Sequence, residues 1–121
     1  MNINIQAEKE ILETVNWWAK NILDLPQTNI DLFKITLRNC LIQKIKNHWY
    51  PEEPERGSGY RSILNDKMID PILFYSCNIA NIDPSRMAGK CVLIISPGIV
   101  RVRSLKNSKE EIVYQYSSVY K

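Results

Sequence analysis

The hydrophobic residues of this chain change their spacing part-way along it, and that change restricts the folds open to it. From Ala7 to Leu23 the residues Ile11, Val15, Trp18 and Ile22 recur at helical spacing, with Leu12, Ala19 and Leu23 beside them. This predicts an amphipathic helix stopped at Pro26. A second helix is expected to open near Thr28 or Asn29, with one of them as its cap, and to run to about Asn47. Its apolar residues Phe33, Ile35, Leu37, Cys40, Leu41, Ile42 and Ile45 occupy more than one face, which marks a central element covered on several sides. The last third has a period of two. Cys91–Ser96 is a continuous apolar run, Pro97-Gly98 is a turn, and in Ile99–Leu105 Val100 and Val102 alternate with Arg101 and Arg103, as in a half-buried strand. After a polar turn at Lys106–Lys109, Glu111–Ser117 completes a meander. Helices first and strands last imply an α+β fold, with N-terminal helices packed against a small, mostly antiparallel C-terminal sheet.

Between the two halves lies an irregular stretch, His48–Ser62, which reads HWYPEEPERGSGYRS. Pro51 and Pro54 push the residues before them toward extended backbone, and Gly57 and Gly59 tolerate positive φ. Tyr60–Leu64 then reads as a short strand ended at Asn65-Asp66. Asp70-Pro71 pairs a capping side chain with proline at the first helical position, which predicts a helix over 71–80. Asp83-Pro84 repeats the signal and predicts a shorter helix over 84–88. The 121 residues suit one core and one domain, 1–121, and 45% hydrophobic with 24% charged residues is ordinary for a globular fold. No internal repeat or low-complexity tract occurs. The N-terminus lacks a basic region followed by an apolar run, so no secretory signal is expected, and no apolar segment is long enough to span a membrane.

The chemistry-bearing residues point away from catalysis. Gly57-Ser58-Gly59-Tyr60-Arg61-Ser62 comes near a phosphate-binding glycine pattern, but a dinucleotide site needs a strand before the glycines and a helix after them. Here a proline-rich loop precedes and a strand is expected to follow. His48 is the only histidine, and no serine or cysteine is singled out as a nucleophile for it; a half-buried histidine at a helix end is the expected reading. Glu52, Glu53 and Glu55 lack partner spacing for a metal and read as solvated. No cofactor and no metal are expected. Cys40, Cys77 and Cys91 are odd in number and share no CxxC spacing, which favours a reduced, intracellular setting. The net charge of +3 is slight, although Arg101 and Arg103, with Lys106 and Lys109 following and Tyr114, Tyr116 and Tyr120 nearby, suggest as an alternative a small RNA-binding edge. The consecutive Trp17 and Trp18 lie about 100° apart on a helix, so one is expected at the core boundary. Trp49, between a helix end and Pro51, is expected to anchor the loop.

The stretch HWYPEEPERGSGYRSILNDKMIDP resembles the box A signature of the BTG/Tob antiproliferative domain, approximately HW[FY]PEKPxKGSG[FY]RCI followed by a short gap and M/V-D-P. The matching residues are His48, Trp49, Tyr50, Pro51, Glu52, Pro54, Gly57, Ser58, Gly59, Tyr60, Arg61, Ile63, Asp70 and Pro71. The family's two leading helices match the first two expected here. Its box B, resembling LPxxLxLWVDPxEVSYxIG, corresponds to residues 87–103. There Pro97 and Val100 match, whereas Ile94 stands at the family tryptophan, Ser96 at its aspartate, and Met87-Ala88 at its LP opening. The box A-like segment thus spans 48–71 and the box B-like segment 87–103.

The resemblance implies a noncatalytic adaptor, not an enzyme. It would dock on the CAF-type deadenylase subunit of the CCR-NOT complex and modulate mRNA turnover and proliferation. Where box A and box B meet, the implied contact residues are Tyr60, Ile94, Ser96 and Pro97. His48, Trp49, Pro51, Pro54, Gly57 and Gly59 would shape the loop, with prolines lowering its ordering cost and glycines turning it toward a strand that presents Tyr60. The expected protein is a monomer that binds one-to-one, in the cytoplasm and nucleus, without a C-terminal tail.

Overall fold

The computed structural model describes residues 5–117. Two helices come first, α1 (Ile5–Ala19) and α2 (Gln27–Ile45), and a third, α3 (Pro71–Ala80), follows the loop and the first strand. Four strands, β1 (Ser62–Asn65), β2 (Cys91–Ser96), β3 (Ile99–Ser104) and β4 (Glu110–Gln115), form one antiparallel sheet in the order β1-β2-β3-β4. The match to the expected α+β architecture is thus complete at the level of layers. Among the described residues no helix is long and apolar enough to cross a membrane.

The core forms where the apolar faces predicted by the two periods meet. Ile11, Val15 and Trp18 of α1, Phe33, Leu37, Leu41 and Ile45 of α2, and Leu73 and Cys77 of α3 are buried against Ile63, Leu93, Ile95, Val100 and Val102 of the sheet. Trp18 is enclosed, while Trp17 meets it edge-on at 4.9 Å between ring centres and lies at the boundary of the core. The three cysteines are free, and burial pushes the Cys77 thiol up to about 11, which leaves it an inert core group.

Several boundaries differ from the sequence expectation. α1 ends at Ala19 rather than Leu23, because the chain tightens into turns in which the Ile22 amide donates to the Ala19 carbonyl. That keeps Ile22 in the core and releases Leu23 to solvent. α2 starts at Gln27 behind Pro26, without a side-chain cap. Neither Thr28 nor Asn29 caps it; the Asn29 amide side chain instead donates to the Ala80 carbonyl at 2.9 Å, stitching α2 to the end of α3. α2 does lie between α1 and α3, yet it is not covered on every side, since Ile35 is 57% exposed. By contrast, α3 has the expected bounds. Asp70 caps it by accepting from the Ile72 amide at 3.0 Å, and the second carboxylate oxygen accepts from the Leu64 amide on the outer edge of β1. The Asp83-Pro84 signal yields a single 3-10 turn, Pro84–Arg86, with Asp83 accepting from the Ser85 amide. β4 begins one residue early and stops at Gln115.

Candidate docking surface

The loop after α2 is a run of tight turns. Successive bonds join the Glu53 amide to the Tyr50 carbonyl, Arg56 to Glu53, Ser58 to Glu55 and Tyr60 to Gly57. Gly57 has φ +73°, in the left-handed region, and a Cβ there would lie 3.2 Å from Tyr50 Cε2. Conformation and space both require glycine at this point. Gly59 differs from the expectation: its φ is not positive, and a Cβ would meet nothing within 4 Å. Ser58–Arg61 forms a 3-10 turn, and β1 starts only at Ser62. Tyr60 is therefore presented by that turn rather than by a strand.

Arg61 organises this region, and sequence reasoning gave it no role beyond a motif match. Its side chain is fully buried. Nε donates to the Ile95 carbonyl at 2.6 Å, Nη1 to those of His48 (2.7 Å) and Arg56 (2.6 Å), and Nη2 to that of Pro54 at 2.6 Å. One guanidinium thus ties the end of α2, two points of the loop and strand β2 together. The guanidinium fork can satisfy several carbonyls at once, as a lysine ammonium cannot. Burial lowers its proton affinity, with Glu55 opposing that loss. A signal for this existed in the alternation: Arg61 shares its parity with buried Ile63 and Asn65, so an inward charge could have been read from the pattern.

His48 does more than sit at a helix end. Its ring stacks on Tyr60, with centroids 3.7 Å apart and planes 3° from parallel. Tyr60 remains 58% exposed, an aromatic plate fixed from behind. Trp49 packs against the core as expected, with the Arg61 guanidinium 5.8 Å above its ring. Pro51 and Pro54 are exposed in the loop, and the Pro54 carbonyl is one of the four that Arg61 holds.

The β2–β3 hairpin meets the loop at one end of the sheet. Ser62 lies opposite Ile94, and the turn that carries Tyr60 packs against β2 just before it, where Arg61 holds the Ile95 carbonyl. Ile94 is half-buried between Ser62 and Arg101 on its neighbouring strands, and Pro97 is half-buried in the turn. Ser96 departs from its expected role as a contact. It is fully buried, and its hydroxyl has no hydrogen-bond partner among the described residues, so it offers no surface. It lies at the end of the sheet to which Arg61 and the Glu55–Arg101 pair (3.9 Å) fasten the loop.

From the other side the same turn is held by Glu10 of α1, a second residue that sequence reasoning passed over. Glu10 is buried, and its Oε2 accepts from the Gly98 amide at 2.5 Å. Burial raises its pKa, partly offset by that bond. Glu10 lies about one helical turn from Ala7 and Thr14 and next to Ile11, all buried, and this polar residue on an apolar face was the available signal.

The basic and aromatic residues do not together line a free sheet edge. β3 is an interior strand between β2 and β4. Arg101 faces Glu55, while Tyr114 lies opposite Val100, on the face packed against α1 and the core. Tyr120 lies outside the described residues. Among the described residues no group of three or more His, Cys, Asp or Glu side chains is placed to hold a metal.

These features agree with what the chain resembles. The solved structure of the C. elegans FOG-3 BTG/Tob domain, a doubly substituted form, superposes with a TM-score of 0.83, at 22% identity over 91% of each chain. A BTG family protein of Dictyostelium discoideum is 32% identical over 117 residues, 91% of this chain but 27% of that protein. Tob2 of Homo sapiens is 43% identical over 49 residues, 40% of this chain and 14% of Tob2. The chain therefore spans well under half the length of these curated relatives. The BTG family model matches residues 7–114, and with box A forming one locked loop against the β2–β3 hairpin, this chain belongs to the BTG family.

Proposed function

We propose that the face carrying Tyr60, Ile94 and Pro97 is the docking surface of a noncatalytic adaptor. Its partner would be the CAF-type deadenylase subunit of the CCR-NOT complex, and its effect would be on mRNA turnover and proliferation. The observation that carries this reading is the exposed Tyr60 ring, stacked on His48 over a loop held by buried Arg61. An aromatic anchor immobilised before binding loses little entropy on association, which suits a protein interface. Family membership supports the same class of role. Cytoplasm and nucleus are the proposed locations, and the complex is proposed to be one-to-one.

The test is titration of the purified protein with a CAF-type deadenylase, alongside incubation of the protein alone with poly(A) and magnesium. Saturable binding is expected, with the RNA left intact in the control. Tyr60→Ala is expected to weaken binding by about 1–3 kcal/mol while leaving the unfolding temperature nearly unchanged, since the ring is largely exposed. No binding by the intact protein, or RNA shortening that persists through stringent purification, would refute the adaptor.

A further inference from the structure

The seam between α1 and α2 carries a groove that the docking face does not use. Its central hollow, about 110 Å³, is lined by Leu12, Val15, Asn16, Lys34, Ile35 and Arg38, and its wall is nearly all apolar. That volume is well below the roughly 300 Å³ at which small-molecule sites begin, but it suits aliphatic side chains. The hollow adjoins one at Glu8 and Lys9, with Leu12 and Arg38 lining both. In the other direction it adjoins one at Lys20 and Leu23, with Asn16 and Lys34 lining both. From Glu8 to Ala19 the seam follows about 16 Å of helix axis, or three turns. That is the length over which a docked helix sets apolar anchors one turn apart.

Charge selects the occupant. The charged residues lining the three hollows are Lys9, Lys20, Lys34 and Arg38 against the single acid Glu8. Arg38 is 3.9 Å from Glu8 and Lys9 is paired with Glu13. Lys34, which lines both the central hollow and the one toward Leu23, has no carboxylate partner among the described residues. Leu12 and Ile35 beside it are 48% and 57% exposed. An apolar floor between cationic rims is complementary to a helix with aliphatic anchors and acidic flanks.

We propose that the α1–α2 seam docks an acidic amphipathic helix of a partner protein, leaving the Tyr60 face free. The probe is a synthetic peptide of about five helical turns, with leucines one turn apart and glutamates beside them. Its control carries lysines in place of the glutamates. Binding is followed by methyl resonances of the whole protein. The acidic peptide is expected to shift Leu12, Val15 and Ile35 saturably and to bind at least about tenfold more tightly than the control. Lys34→Glu is expected to weaken it by a similar factor with the unfolding temperature unchanged, and Ile35→Asp should do the same. The proposal fails if these methyls do not respond up to millimolar peptide, or if the lysine peptide binds equally well. It also fails if the same methyls shift with protein concentration alone, which would assign the seam to a second copy of the chain.

Discussion

The helical body and the 48–61 loop are held by different kinds of contact. In the body, stability is spread over many apolar side chains, including Trp18, Phe33, Leu37, Leu41 and Leu73, each enclosed by others. In the loop it converges on one guanidinium, with four carbonyls dependent on it. Distributed apolar packing degrades gradually, because each contact is small and neighbours relax. A buried polar knot fails as a unit, because removing its centre leaves every acceptor without a partner. The knot also does what apolar packing alone would not: it fixes main-chain positions, and so holds the Tyr60 ring in place.

Two substitutions set these regions against each other. Phe33→Ala should lower global stability by about 3–5 kcal/mol and speed amide exchange throughout the core. Arg61→Ala should lower it by about 3 kcal/mol, with amides of 50–61 losing protection first while α1 and α3 keep theirs. Arg61→Lys should resemble the alanine variant, since a single ammonium cannot span the same carbonyls. Uniform loss of protection in Arg61→Ala would show that the loop and body are one cooperative unit.

The loop's own geometry is probed by its two glycines. Gly57→Ala should destabilise by about 1–2 kcal/mol, from its left-handed backbone and the close Tyr50 ring. Gly59→Ala should stay within about 0.5 kcal/mol. Equal effects measured by denaturant titration would contradict the assignment of the turn to Gly57 alone.

Glu10 brings the comparison to the junction, where a buried acid rather than a base holds the turn. Its folded-state pKa is raised by burial, so below its ordinary carboxylate range it is protonated in both states and carries no penalty. As pH rises through the folded value, the ionised form costs stability in the folded state only. Glu10→Gln keeps an acceptor for the Gly98 amide and removes that cost. Its stability relative to the parent should therefore increase with pH above the ordinary carboxylate range. A pH-independent difference would show that Glu10 is not buried as an acid. A small effect, opposite in sign to that of Gly57→Ala, is expected at Ser96. Removing its unpartnered hydroxyl by Ser96→Ala should raise stability by up to about 1 kcal/mol; a clear loss would mean that the hydroxyl is satisfied.

Local signals carried much of this reading. The helical period of Ile11, Val15 and Trp18, the Asp70-Pro71 start of α3, the Pro97-Gly98 turn and the alternation through Val100 and Val102 are each decided within a few residues. The backbone conformations they favour survived into the tertiary structure. The box A motif likewise located the loop and Tyr60 before any geometry was known.

What the sequence by itself determined is therefore the order of elements, their apolar faces and the family. The tertiary structure alone decided that α1 closes at Ala19, that Asn29 reaches Ala80 instead of capping its own helix, and that Tyr60 stands on a 3-10 turn against His48. It also decided that Arg61, Glu10 and Ser96 are inside. The physical reason is that the polar choices among these depend on partners far along the chain: Arg61 on Ile95, Glu10 on Gly98, Asn29 on Ala80. A polar group is buried only where such a partner, or enough surrounding apolar contact, compensates its lost water. That balance is settled when the layers close.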